Sequence, residues 1–409
     1  MPDPTALIIE HDFTGHRWRY VEWAMQAYRE AGYHCMVATD PANREHPLAR
    51  RLLAGQQPHT TLLFVPAPAG AGSGAGRVSY VRFWRMFRHA FRIASAERPA
   101  SLVVVPYADY FLYALPLLGS PFGDVPWVGI TMRASFHHSK VGVKAPRQPL
   151  VNAVKTWLFR RALDTGGMKT LLSIDPTLPQ WFAAASGRAQ AIAYLADPCP
   201  EALPADPAAA RARLGLGAGK HLLVYGAISE RKGIRELVAA LAGHPRAPAL
   251  VVAGQQDAGL RAFLREAART LSPPMVVLDR FISDEDEAAL FCACDAVWLG
   301  YKGHYGMSGV LVQAYRAGKP VIATADGLIG WFCRGRELGP VLEDLSVAAI
   351  RRALDQIDQS GQSGQSGLFA PPSQPTLPAA AAAAPAPRAH LLARNTLSEF
   401  KQTLRRAAA

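Results

Sequence analysis

The 409-residue sequence contains no run of 18 or more uncharged apolar residues, so no helix in it is built to span a bilayer. Cysteine is scarce, odd in number and scattered (Cys35, Cys199, Cys292, Cys294 and Cys333). This argues against a disulfide framework and for a reducing compartment. Cys292 and Cys294 lack the second pair or spaced histidines of a metal site, so they are expected as buried thiols on a helix. The start, Met1 to Glu10, has no basic segment and soon meets an acid, so a signal peptide is not expected. No Gly-x-x-x-x-Gly-Lys-Ser/Thr loop occurs and no repeat of 20–50 residues is visible.

Acid is the other shortage, and it is local. Lysine and arginine number 44 against 32 acids, a surplus of +12. Residues 77–98 hold six arginines and only Glu97; residues 140–161 hold Lys140, Lys144, Arg147, Lys155, Arg160 and Arg161 and no acid. Two short segments thus carry nearly the whole imbalance. Such a surplus suits nucleic acid, an anionic membrane or a phosphorylated substrate. Nucleic acid is disfavoured, because no helix-turn-helix, RNA-recognition or zinc signature accompanies the charge.

What is present is alternation. Apolar runs of strand length (Ala6–Ile9, Cys35–Thr39, Leu62–Val65, Leu102–Pro106, Trp127–Thr131 and Leu171–Ile174) alternate with helical patterns in the first half. The second half repeats the scheme with His221–Tyr225, Ala249–Ala253, Met275–Leu278, Ala296–Leu299 and Pro320–Ala323. Continuous rather than alternating apolar runs are those of strands buried on both faces, so two α/β domains with doubly wound parallel sheets are expected. The proline-rich stretch 197–207 reads as the boundary between domains at 1–200 and 208–358. The biased composition of 359–388 reads as a flexible linker, and 66–76 as a glycine-rich loop. Residues 389–409 recover a helical pattern and are expected to pack back on the N-terminal domain, since a lone helix would be marginal.

Two segments carry chemistry. In Val224–Leu241 a buried strand ends at Gly226, a polar turn carries Arg231, Lys232 and Gly233, and a helix follows. Cations beyond a strand end, beside helix amides, suit a diphosphate; a solvated basic turn is the competing reading. In His304–Ala323, Gly303, Gly306 and Gly309 precede a helix, with small Ser308 and Gly309 letting an anion approach the first-turn amides. Gln313, about one turn further in, can bond a sugar hydroxyl. Asp284-Glu-Asp286 looks like a metal-binding Asp-x-Asp but follows Ser283, so acidic first-turn residues of a helix explain it.

Together these segments resemble the C-terminal domain of GT-B glycosyltransferases, especially the retaining family four, over Leu222 to Gly339. The resemblance implies two Rossmann-like domains facing across a cleft and a hexosyltransferase-type activity that uses a nucleotide-diphosphate sugar, with retention. It implies no essential metal or cofactor. Lys232 would contact the donor diphosphate beside Gly226 and Arg231, and the amides of Ser308, Gly309 and Val310 would bind the distal phosphate. The family's two glutamates fall here on Tyr305 and Gln313, and its arginine after the strand-ending glycine falls on Ala227. In the N-terminal half, Gly15 with His16 or Arg17 resembles the first glycine loop. His137 or His138 resembles the active-site histidine near the acceptor.

The expected acceptor is a glycolipid or growing polysaccharide, and the expected location is cytoplasmic or peripheral at the inner face of an anionic membrane. Phe83, Phe87 and Phe91 recur every four residues among Arg82, Arg85, Arg88 and Arg92, which fits a membrane-lying helix. A core-facing aromatic stripe with a solvated arginine face is the alternative. For the whole chain, a sugar-nucleotide epimerase or a degenerate, membrane-associated scaffold are the competing functions.

Overall fold

The computed structural model describes all residues except 1–2, 15–16, 56, 69–78, 200–205, 336 and 363–387. Gly15 and His16 therefore lie outside the described residues, as do most of the glycine-rich loop and most of the expected linker. The helix Val347–Gln362 runs past the expected linker start at 359.

The chain divides into two compact units, residues 1–141 with 147–198 and 397–409, and residues 142–146 with 199–396. The first holds β1 (Thr5–Ile9), β2 (His34–Thr39), β3 (Thr60–Phe64), β4 (Leu102–Val105), β5 (Trp127–Thr131), β6 (Met168–Ser173) and β7 (Ile192–Tyr194). They form one parallel sheet in the order β3-β2-β1-β4-β5-β6-β7. Ala6 and Ile8 of β1 enter one buried cluster while Leu7 and Ile9 enter the other. Both faces are thus covered, which is why the strand reads as an unbroken apolar run.

The second unit holds β8 (His221–Tyr225), β9 (Ala249–Ala253), β10 (Met275–Leu278), β11 (Ala296–Leu299), β12 (Val321–Thr324) and β13 (Val341–Leu342). Its parallel sheet is ordered β10-β9-β8-β11-β12-β13. In each unit the strand order reverses once, between β1 and β4 and between β8 and β11. A doubly wound sheet opens a crevice at the carboxyl ends of those strands.

The C-terminal segment is broken rather than one helix: a 3-10 stretch, Arg388–Arg394, precedes the helix Leu397–Ala408. Phe400 and Leu404 of that helix are fully buried in the first unit, where Phe400 packs on Tyr20 and Trp23. The Tyr28 hydroxyl donates to the Leu404 carbonyl, and Glu30 pairs with Lys401 and Arg405.

The membrane reading of the helix Tyr80–Glu97 is corrected by its packing. Phe87 is buried, and Phe83 and Phe91 pack against the same core. The aromatic stripe is therefore the core face, leaving Arg85, Arg88 and Arg92 as a solvated cationic face. Arg82 is half-buried, and Arg88 stacks on Trp84.

Candidate active site

In the second unit the site is built at the β8/β11 reversal. β8 ends at Tyr225, and the chain turns through Gly226 and a one-turn 3-10 helix, Glu230–Lys232, into the helix Ile234–Leu241. The turn needs a left-handed residue at Gly233 (φ +62°), where a Cβ would lie 2.3 Å from the Gly300 carbonyl oxygen. That close approach lets the Trp298 indole donate to the Lys232 carbonyl at 2.6 Å, fixing the turn to the end of β11.

The turn delivers Lys232 inward, 8% exposed. Its ammonium donates to the Tyr225 carbonyl at 2.6 Å and the Tyr301 hydroxyl at 2.8 Å, and lies 4.4 Å from the centre of the Tyr301 ring. Burial, then the nearby Arg231, pull this ammonium down to about 7. Arg231 is exposed, and no acid neutralises it among the described residues. Glu230 pairs with Arg235 at 2.9 Å and Glu236 with Lys302 at 2.9 Å.

Across the reversal, Ser308 precedes the helix Gly309–Arg316 without a capping bond from its side chain. Among the described residues the amides of Gly309 and Val310 have no hydrogen-bond partner. Val310 also comes within 4.0 Å of where a Cβ on Gly226 would be, and Lys232 Nζ within 3.5 Å. A buried ammonium, an unpaired guanidinium side chain and unpaired helix amides thus converge on one strand-end crevice. Such a set stabilises a dense anion.

Gly226, Arg231, Lys232, Ser308, Gly309 and Val310 are therefore brought together. Tyr305 is half-buried beside Gly327, its carbonyl accepting from the Leu328 amide. Gln313 is turned toward a neighbouring helix, its amide donating to Glu287 Oε1, while its own oxygen is buried and unpartnered among the described residues. Tyr301 was missed by motif reading; its signal is its place just past the end of β11. Asp286 accepts from Arg213 and pairs with Arg280, and all three acids stand in the first turn of a helix capped by Ser283.

The first unit has a matching set beyond β1 and β4. Glu10 is fully buried, accepts from the Asp12 amide and the Tyr110 hydroxyl, and leaves Oε2 unpartnered among the described residues. Burial pushes its carboxyl up to about 8. Arg17 pairs with Asp12 and donates to the Tyr110 hydroxyl at 2.6 Å, and Arg17 and Arg133 both lie over the Tyr107 ring.

His137 and His138 follow β5 and are 0% and 2% exposed. His138 Nε2 is 2.8 Å from Asp175 Oδ2, and His137 Nε2 is 2.9 Å from Thr177 Oγ1 and 3.3 Å from Asp175. Asp175 also accepts from the Thr177 amide and hydroxyl. Burial works against the Asp175 anion, yet hydrogen bonds from the two imidazoles hold its carboxyl well below the usual range; burial lowers His137. The three groups offer ligand atoms within 4.8 Å of one another, but hydrogen bonds already use both Nε2 atoms.

Residues 219–358 match the family model of the group 1 glycosyl transferases. Among solved structures, the chain is similar to a sucrose-phosphate synthase from Thermosynechococcus elongatus, with 18% identity, a TM-score of 0.66, and coverage of 99% of this chain and 98% of that one. It is also similar to HepE of Anabaena in complex with UDP and glucose (15% identity, TM-score 0.63, 98% of each chain). A third is WaaG, a glycosyltransferase involved in lipopolysaccharide biosynthesis (17% identity, TM-score 0.57, 99% and 98% covered). No curated protein matches the sequence. The second unit carries a group 1 glycosyl transferase domain, and the chain has the GT-B glycosyltransferase fold.

Proposed function

We propose that this protein moves a sugar from a nucleotide-diphosphate donor to a lipid-linked or polysaccharide acceptor, with retention at the anomeric carbon. The observation that carries the reading is the convergence of Lys232, the unpaired Arg231 and the Gly309–Val310 amides at the β8/β11 reversal. In the transfer, the bond from the anomeric carbon to the diphosphate breaks, a bond to the acceptor oxygen forms, and the proton of the acceptor hydroxyl passes to an oxygen of the leaving diphosphate. Negative charge then grows on the leaving phosphate oxygen, where Lys232, Arg231 and the helix amides offset it. These groups supply the positive charge without invoking a metal. A bound diphosphate gives Lys232 an anionic partner in place of the neutral Tyr225 and Tyr301 oxygens. HepE, bound to UDP in one structure and UDP-glucose in another, supports a uridine donor. His137 and His138 act in this reading as positioning residues, holding the segment after β5 through Asp175.

Isothermal titration of the full chain with UDP, GDP and ADP tests the donor site. One diphosphate should bind, and Lys232→Ala should weaken it roughly 10- to 100-fold, the scale of a lost charge-assisted contact. Binding of none, or equal binding by the variant, overturns the assignment. Mass analysis of products from a lipid-linked sugar acceptor then tests the acceptor class.

A further inference from the structure

The helix Pro149–Ala162 turns a largely apolar face outward. Leu150, Val154 and Trp157 are 82%, 59% and 56% exposed, and their spacing of four and three residues puts them on one stripe. Phe159 and Ala162 occupy the opposite, buried side. Leu117, 78% exposed, and Leu118 extend the apolar surface from the short helix Leu115–Leu118, which packs against this one. Five of the ten exposed large apolar side chains among the described residues belong to this one patch. Contiguous exposure of that kind marks an interaction surface.

Cations border it. Arg147, Lys155, Arg160 and Arg161 have no acidic partner among the described residues. Of the acids at the rim, Asp164 is engaged by Arg188 at 2.6 Å, leaving Asp124 exposed. A Trp and aliphatic stripe bordered by unpaired cations is the composition of a helix lying in a lipid interface. A second copy of the chain fits less well, since a two-fold contact through this face would bring two cation-bordered patches together.

We infer that this helix, with Leu117 and Leu118, seats the first unit on an anionic lipid surface, with Leu150, Val154 and Trp157 entering the headgroup boundary and Arg160 and Arg161 meeting lipid phosphates. Cations alone do not make the site: the helix Tyr80–Glu97 has as many, but its aromatic stripe is buried. The inference deepens the proposed use of a lipid-linked acceptor and rests on that reading for its purpose. Its test does not, because vesicle binding requires neither donor nor acceptor.

The test is co-sedimentation of the full chain with phosphatidylcholine vesicles, with and without phosphatidylglycerol. Wild type should partition onto the anionic vesicles and be released by salt. Val154→Ser/Trp157→Ser and Arg160→Glu/Arg161→Glu should each weaken partitioning at least about tenfold. Arg85→Glu/Arg88→Glu should bind close to wild type. Unchanged far-ultraviolet circular dichroism and UDP titration verify that the variants are folded. Wild type that ignores anionic vesicles, or patch variants that bind as wild type does, overturns the inference. So does a vesicle-free dimer that Trp157→Ser converts to monomer, which would make the patch a self-association surface. Loss of UDP binding in wild type instead overturns the donor reading and leaves the vesicle result standing.

Discussion

Lys232 donates to the Tyr301 hydroxyl at 2.8 Å, joining the turn after β8 to the end of β11 across the point where the sheet order reverses. With burial and Arg231 holding Lys232 near 7, its charge changes within the physiological range. In the proposed donor site the protonated form binds the diphosphate, so below pH 7 no proton is taken up from solution. Above it, binding must first protonate the amine. UDP affinity should therefore fall as pH rises from 7 to 9, by at most about tenfold per pH unit. Calorimetry in buffers of different ionisation enthalpy reads the proton uptake directly, and Lys232→Arg should abolish it. A pH-independent affinity with no proton uptake contradicts the role given to Lys232.

Gly233 sets how deep that lysine goes. A β-carbon there would sit 2.3 Å from the Gly300 carbonyl oxygen in a left-handed backbone. Gly233→Ala should cost at least about 2 kcal/mol, combining backbone strain with a displaced turn. It should also lose UDP binding in the fraction that stays folded. Urea unfolding gives the first figure and calorimetry the second. Gly215→Ala, left-handed too but in open space, is the control for strain alone.

How far the sequence revealed all this depended on whether the signal was local. Ala249–Ala253 and Ala296–Leu299 were legible to the residue, because a strand covered on both faces is apolar at every position, and the apolar runs of His221–Tyr225 and of the half-buried edge strand Met275–Leu278 gave the same bounds. The edge strands Ile192–Tyr194 and Val341–Leu342 were not, being too short to make a run. The Lys232 turn was legible as a motif, but its partner Tyr301 lies 69 residues on and is joined to it only by sheet order. For the two basic segments, composition alone could not say which would hide its aromatics. Packing against residues far along the chain decided that Phe87 is core and Trp157 is exposed.

Glu10 gives a stability prediction with a definite sign. Its folded value near 8 lies above the ordinary 4.5, so the folded state holds a proton that the unfolded chain has released between those limits. The stability tied to this proton is complete below about pH 4.5 and is lost as pH rises to 8. Glu10→Gln cannot titrate, so stability between pH 5 and 8 should fall less steeply, by up to about 1.4 kcal/mol per pH unit. Urea midpoints across that range decide it; parallel curves for wild type and variant would refute it.

Asp175 behaves oppositely. Its carboxyl is depressed in the folded state, so its contribution is present above the ordinary value near 3.8 and is lost as pH falls through the lower folded value. Asp175→Ala strips acceptors from His138 and from the Thr177 amide and hydroxyl, all buried. A loss of about 3–5 kcal/mol at pH 7 is expected, the scale for breaking a buried charged network. A variant as stable as wild type in urea would mean that water or rearrangement replaces the carboxylate.

Gln313 stands where the resemblance to family four places a glutamate. The Gln313 amide donates to Glu287 Oε1 on the neighbouring helix, so a carboxylate already stands beside that position, contributed from elsewhere in the chain. A glutamine suits this place because it can donate to Glu287, whereas a second glutamate would oppose it. Gln313→Glu should thus create a like-charge pair in a half-buried setting, raising one carboxyl of the pair in the folded state. The variant's stability should match wild type near pH 4 and fall behind by roughly 1–2 kcal/mol as pH rises through that raised value. Glu287→Gln/Gln313→Glu exchanges the partners and should recover most of the loss, a rescue that a general packing defect would not show. Thermal unfolding of both variants at pH 4.5 and pH 8 supplies the comparison. Equal deficits at the two pH values, or failure of the exchange to rescue, would show that Glu287 is not what makes glutamine the suitable residue at 313.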